Sequence, residues 1–146
     1  MKSLIYIGMI ITISQNVFSQ SKSVVVGEWK VDLTKTIQEM KNQEKSRYDS
    51  ISSFGKENMR NVYDNRTFIF STDNEFTVEI NRDRARELKA GTWAYDAISN
   101  TLTLLVEGEK DVFDLEFVSK NLLKLNHRNT STDTLIKSTY LKRLED

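Results

Sequence analysis

From Thr67 to the C-terminal end the chain repeats one pattern: apolar residues alternate with polar ones, a short polar turn follows, and the alternation resumes. Phe68 and Phe70 share a face, then Thr72-Asp73-Asn74 turns the chain into Phe76, Val78 and Ile80, and Asn81-Arg82-Asp83 turns it again. A strand over about residues 86–95 carries Gly91, Trp93 and Tyr95 on one face, and a loop at 96–100 leads to Leu102, Leu104 and Val106. Glu107-Gly108-Glu109-Lys110 turns into Phe113, Leu115 and Phe117, which are opposed by Asp114 and Glu116. Ser119-Lys120-Asn121 precedes Leu123 and Leu125, and a polar run at 128–133 precedes a last strand over about 134–143. Side chains alternate across a strand, so each segment has one apolar face that must be buried. Short connections make consecutive strands antiparallel neighbours, and a meander is the economical topology.

Residues 24–32 read as one further strand upstream, in which Val24, Val26 and Glu28 alternate with Val25, Gly27, Trp29 and Val31. Eight meandering strands with one apolar face close into a barrel, which removes the exposed edges; a two-sheet sandwich is the alternative. The chain has no proline, which suits closely paired strands because proline cannot donate to a ladder. Between the first and second strands, at about residues 34–64, the period changes and a helical pair is expected. Thr36-Ile37-Gln38-Glu39 matches a capping box. Ile37, Met40, Tyr48 and Ile51 fall near one helical face, with Glu44 interrupting it. Ser52-Ser53-Phe54-Gly55 reads as the break, and a second helix carries Met59, Val62 and Tyr63. The expected fold is therefore mostly β, an eight-stranded antiparallel barrel with helices inserted between strands one and two.

The first residues read as an address. Met1-Lys2-Ser3 starts with a positive charge, and residues 4–13 form an apolar run broken only by Gly8 and Thr12. The run is too short to cross a bilayer and fits a secretory signal. Val17 and Ser19 suit the −3 and −1 positions of a signal peptidase site, which predicts a signal peptide over 1–19 and a barrel domain over 20–146. Cleavage removes one charged residue, Lys2, so a net charge of zero becomes −1. There is no cysteine, hence no residue to carry a lipid at the new N-terminus and no disulfide. The expected location is periplasmic or secreted, without a membrane anchor. A single domain of this size buries enough surface to stand without staples.

The same composition narrows the chemistry. Twenty-one basic residues balance twenty-one acidic ones, which argues against a generally basic nucleic-acid binder. Without cysteine and with His127 as the single histidine, thiol nucleophiles, Cys-ligated metals and multi-histidine centres are excluded. No phosphate loop, nucleophile elbow or zinc-hydrolase motif occurs, and no cofactor is implied.

Gly27-Glu28-Trp29 resembles the Gly-x-Trp signature of the lipocalin and fatty-acid-binding-protein group. Glycine and tryptophan at i and i+2 point to one face, so the glycine gap lets the indole lie across a barrel floor. The resemblance implies a basic residue of the last strand packed on the indole; Lys142 and Arg143 are the candidates, and Arg143 is favoured. Gly91-Thr92-Trp93-Ala94-Tyr95, followed by Asn100 and Leu102-Thr103-Leu104, is similar to small exported lipocalin-like proteins of Bacteroidetes-type bacteria, as is the Val17-Phe18-Ser19-Gln20 junction. The inserted helices are more like the lid of fatty-acid-binding proteins, which have ten strands. The last strand lacks the Arg-x-Tyr with which those proteins hold a carboxylate, so fatty-acid binding is not carried over.

The strand aromatics Phe68, Phe70, Phe76, Trp93, Tyr95, Phe113 and Phe117 are the candidate lining of a cavity for a small apolar ligand. The plainer reading is that they fill a small barrel. Arg82, Arg84 and Arg86 at spacing two would form a row on one strand face, able to meet an acidic group or to serve as a solvated edge. Glu107, Glu109 and Asp111 lack the spacing of a calcium loop. His127 shares parity with Leu123 and Leu125 and has no paired nucleophile, so the residues point away from an enzyme. Asp114 and Glu116 fall on the solvent face. Two partner classes remain: a small apolar ligand inside the barrel, and an envelope protein or glycan on its outer surface.

Overall fold

The computed structural model describes residues 22–82, 85–129 and 135–145. The expected signal peptide over 1–19 lies outside the described residues. A 3-10 turn at Lys22–Val24 leads into β1 (Gly27–Val31), followed by α1 (Leu33–Gln38), α2 (Asn42–Ser50) and α3 (Ser53–Tyr63). The remaining strands are β2 (Arg66–Phe70), β3 (Glu75–Arg82), β4 (Ala85–Asp96), β5 (Thr101–Val106), β6 (Glu109–Ser119), β7 (Leu122–His127) and β8 (Ser138–Arg143). Each strand pairs antiparallel with the next, and β8 closes on β1 through Trp29↔Arg143, Lys30↔Lys142 and Val31↔Leu141. The molecule is a closed eight-stranded barrel with helices between β1 and β2.

Turn chemistry explains where strands end. Asn74 and Asn100 adopt φ of 72° and 50°, a left-handed conformation that asparagine tolerates better than most residues. Glu107 and Gly108, at φ 53° and 84°, form a two-residue connection between the paired Val106 and Glu109, the turn whose twist matches an antiparallel hairpin.

The insertion differs in detail from the expected pair. Its N-terminal cap is Asp32, whose carboxylate accepts from the Lys35 N–H at 2.8 Å. Thr36 does not cap a helix: it lies within α1, donates to Asp32 O at 2.8 Å and accepts from the Tyr140 N–H of β8 at 3.0 Å. The longer expected helix divides around Met40, and α2 restarts with the Glu44 carboxylate accepting from the Lys41 N–H at 3.2 Å. Ser52 ends the gap rather than opening a loop, because its hydroxyl accepts from the Gly55 N–H and starts α3. Three helices therefore stand in the insertion.

The β4 register also revises the arginine row. Arg82 ends β3, paired with Ala85 of β4, and Arg86 lies on β4 opposite Asn81; Arg84 lies outside the described residues. The run crosses a hairpin, so it is not one face of one strand. Arg86 reaches Glu79 of β3 at 2.8 Å, on the outside of the barrel.

Candidate functional site

Inward-facing side chains form layers along the barrel axis. One layer is closed: Trp29, Phe70, Trp93 and Leu102, with Leu115, Leu123 and Leu141, are all buried. Both indoles keep their N–H satisfied, Trp29 Nε1 donating to Val25 O at 2.8 Å and Trp93 Nε1 to Ser71 O at 3.0 Å. Phe70 meets the Trp93 ring edge-on, with centroids 5.3 Å apart. Beyond this layer, Tyr95 and Phe117 pack edge to face with centroids 6.0 Å apart.

The N-terminal segment plugs that closed end. Val25 is fully buried, and Lys22 Nζ lies 5.0 Å from the centroid of Trp93 while donating to Thr72 O and Asn74 Oδ1. Of the two basic candidates on the last strand, Lys142 faces solvent and Arg143 stacks, with Cζ 4.2 Å from the Trp29 ring centroid. Its Nη1 donates to Val26 O at 3.0 Å and its Nη2 to Val24 O at 2.6 Å. Gly27 makes this arrangement possible. Its φ is +134°, and a Cβ there would stand 2.7 Å from Arg143 Nη1.

The opposite half of the barrel is open. A cavity of about 590 Å³ occupies it. Phe68 of β2, Phe76 and Val78 of β3, Leu104 of β5, Phe113 of β6 and Leu125 of β7 form its apolar lower wall. Higher up come Ile80, Val106 and Thr139, and the rim carries both signs of charge: Arg66, Lys89 and Lys137 against Glu87, Glu107, Glu109 and Asp111. Tyr63 at the end of α3 and Ile136 before β8 bound it on the helix side. The helices sit there because β1 ends and β2 begins at this end of the barrel. Glu44 of α2 fastens the insertion by accepting from the Lys137 N–H at 3.1 Å.

Of the seven aromatic candidates, Phe68, Phe76 and Phe113 line the cavity. Phe70, Trp93, Tyr95 and Phe117 do not; they pack the closed half. Parity along a strand tells which way a side chain points, but not how deep it lies, and this is why Phe68 and Phe70 separate. The lining residues not anticipated, Val78, Ile80, Leu104 and Leu125 among them, carry the same inward parity and lie toward the helix-bearing end. That combination is the signal that would have found them.

His127 borders the cavity. Its Nδ1 accepts from the Asn129 N–H at 3.2 Å, and its Nε2 lies 3.2 Å from Asp111 Oδ1. Its ring also meets Phe113 edge-on, with centroids 4.8 Å apart. Both nitrogens are thus engaged in holding the ring. Asp114 and Glu116 face solvent and pair with Arg128 and Lys124. Among the described residues no three carboxylate or imidazole groups converge as metal ligands.

Two protonation shifts belong to the closed end. Burial raises the Tyr95 phenol above its ordinary value, helped by the neighbouring Asp96 charge. The Ser99 hydroxyl, then the N–H groups of Ile98 and Ser99, hold the Asp96 carboxyl below its ordinary value. Neither group borders the cavity.

The chain is similar to a DUF4847 family protein from Bacteroides vulgatus, with a TM-score of 0.49 and 15% identity over 80% of this chain and 91% of that one. No protein-family model matches the sequence, and no curated protein does.

Proposed function

We propose that the protein is an exported, lipocalin-like binding module that holds a small apolar molecule in the open half of its barrel, with the helical insertion as a lid. The observation that carries this reading is the cavity itself. Its volume of about 590 Å³ falls within the range of roughly 300–1,000 Å³ typical of small-molecule sites. Apolar walls below and charged groups at the rim suit a ligand that buries a hydrocarbon body and leaves a polar end near water. Tyr63 and Ile136 over the mouth support the lid. The engaged nitrogens of His127 favour binding over catalysis, and the signal-like residues 1–19 support export to the periplasm or medium. An outer-surface contact with an envelope protein or glycan is the weaker reading, because its arginine row is split across a hairpin.

Native mass spectrometry of the mature protein purified from its own host tests the proposal. The expected spectrum shows an added small mass that is lost on organic extraction and absent in Val78→Trp, which fills the cavity. A bare chain, together with no heat when the host's apolar extract is titrated into it, overturns the reading.

A further inference from the structure

Resting on that reading, we infer that Phe76 limits the length of hydrocarbon the barrel accepts. Phe76 stands where the open half meets the closed layer. Its ring borders the cavity, yet it is only 2% exposed. It packs against Phe68 on the cavity wall at 5.9 Å and against Phe70 of the closed layer at 5.2 Å between centroids. Beneath it, Phe70 leans on Trp93, and Trp93 is tied to Ser71 O, so the stack under Phe76 is braced and does not yield to a ligand pressing downward. Across the ladder Phe76 faces Gly91, which has no side chain. A Cβ there would stand 2.0 Å from Leu105 O. No β4 side chain therefore stands directly opposite the Phe76 ring, and the ring forms the part of the cavity floor that rests on the closed layer.

A linear chain entering past the rim gains affinity with each methylene it buries, about fourfold apiece. The gain stops when the chain end meets the Phe76 ring, because a packed interior resists overfilling. Length selectivity in this protein is thus a property of one aromatic side chain rather than of the rim charges.

The test titrates primary n-alkanols from hexanol to tetradecanol, whose neutral head leaves the rim charges out, into wild type, Phe76→Ala, the milder Phe76→Leu, and Phe117→Leu as a closed-end control. Binding is read by calorimetry, and folding by thermal unfolding. In wild type, affinity should climb about fourfold per methylene and then break. In both Phe76 variants the break should move to a longer alkanol, raising affinity for the first chain beyond the wild-type limit by at least about fourfold. Phe117→Leu should leave the break in place. An unmoved break in a folded Phe76→Leu overturns the inference while leaving the binding module intact. If no alkanol binds wild type, the binding reading itself fails and the length limit falls with it.

Discussion

Trp29, Gly27 and Arg143 act as one unit. The indole is buried, the guanidinium covers its face, and the gap at Gly27 admits both. Arg143 also fastens the N-terminal plug through two carbonyls. Removing it forfeits a cation–π contact and two charge-assisted hydrogen bonds, so Arg143→Ala should destabilise the fold by about 3 kcal/mol. Urea unfolding should show this as a lower midpoint at unchanged slope. Arg143→Lys, which keeps the charge but loses the planar fork, should fall between the two. Gly27→Ala should cost about 1–3 kcal/mol, since an L side chain at that φ is strained and meets Arg143. The Gly27–Trp29 spacing was legible in the sequence because its logic is local. The split between Phe68 and Phe70 was not, because depth in a barrel depends on the stagger of strands distant in sequence.

At the level of elements, the strands were legible and the helices only partly so. Alternation over several residues points to a strand whatever its partner. By contrast α2 buries only Tyr48, which leaves almost no apolar stripe from which to read its limits. Thr36 was read as a cap, yet its role depends on Tyr140, more than a hundred residues away. It joins α1 to β8: its hydroxyl is the acceptor for the buried Tyr140 N–H, and Thr36 itself is 2% exposed. Thr36→Val keeps the shape and leaves that donor unpaired, so it should cost about 1–3 kcal/mol, measured by chemical denaturation. Amide exchange at Tyr140 should accelerate in the same variant.

The β4–β5 turn carries a pH dependence. Asp96 has a lowered pKa in the fold, owing first to the Ser99 hydroxyl and then to the Ile98 and Ser99 N–H groups. A lowered folded pKa contributes stability above the unfolded carboxylate's value, and that contribution disappears as pH falls through the folded value. Asp96→Asn should therefore unfold at a lower urea concentration than wild type at neutral pH. The two curves should converge on acidification below the ordinary aspartate range. Tyr95, raised chiefly by burial, works at the other limit: its contribution is lost as pH rises from the unfolded phenol's value through the raised folded one.

For the molecule as a whole, closure of β8 on β1 leaves none of the described strands as a sheet edge, and the barrel is divided into a packed half and an open half. The packed half, braced by two tryptophans and the N-terminal plug, supplies rigidity. The open half, ringed by charge and bounded by helices, supplies the cavity. Both halves are built from the same alternating pattern, so the sequence could show a barrel without showing where its interior stops. The most direct test of the division is a methyl NMR titration of the protein with decanol. The account predicts shifts at the cavity methyls of Val78, Ile80, Leu104 and Leu125, with Leu123 and Leu141 in the closed layer unmoved. Shifts gathered instead on Leu88, Leu105 and Val118, apolar residues exposed on the outer wall, or no shifts at all, would contradict it.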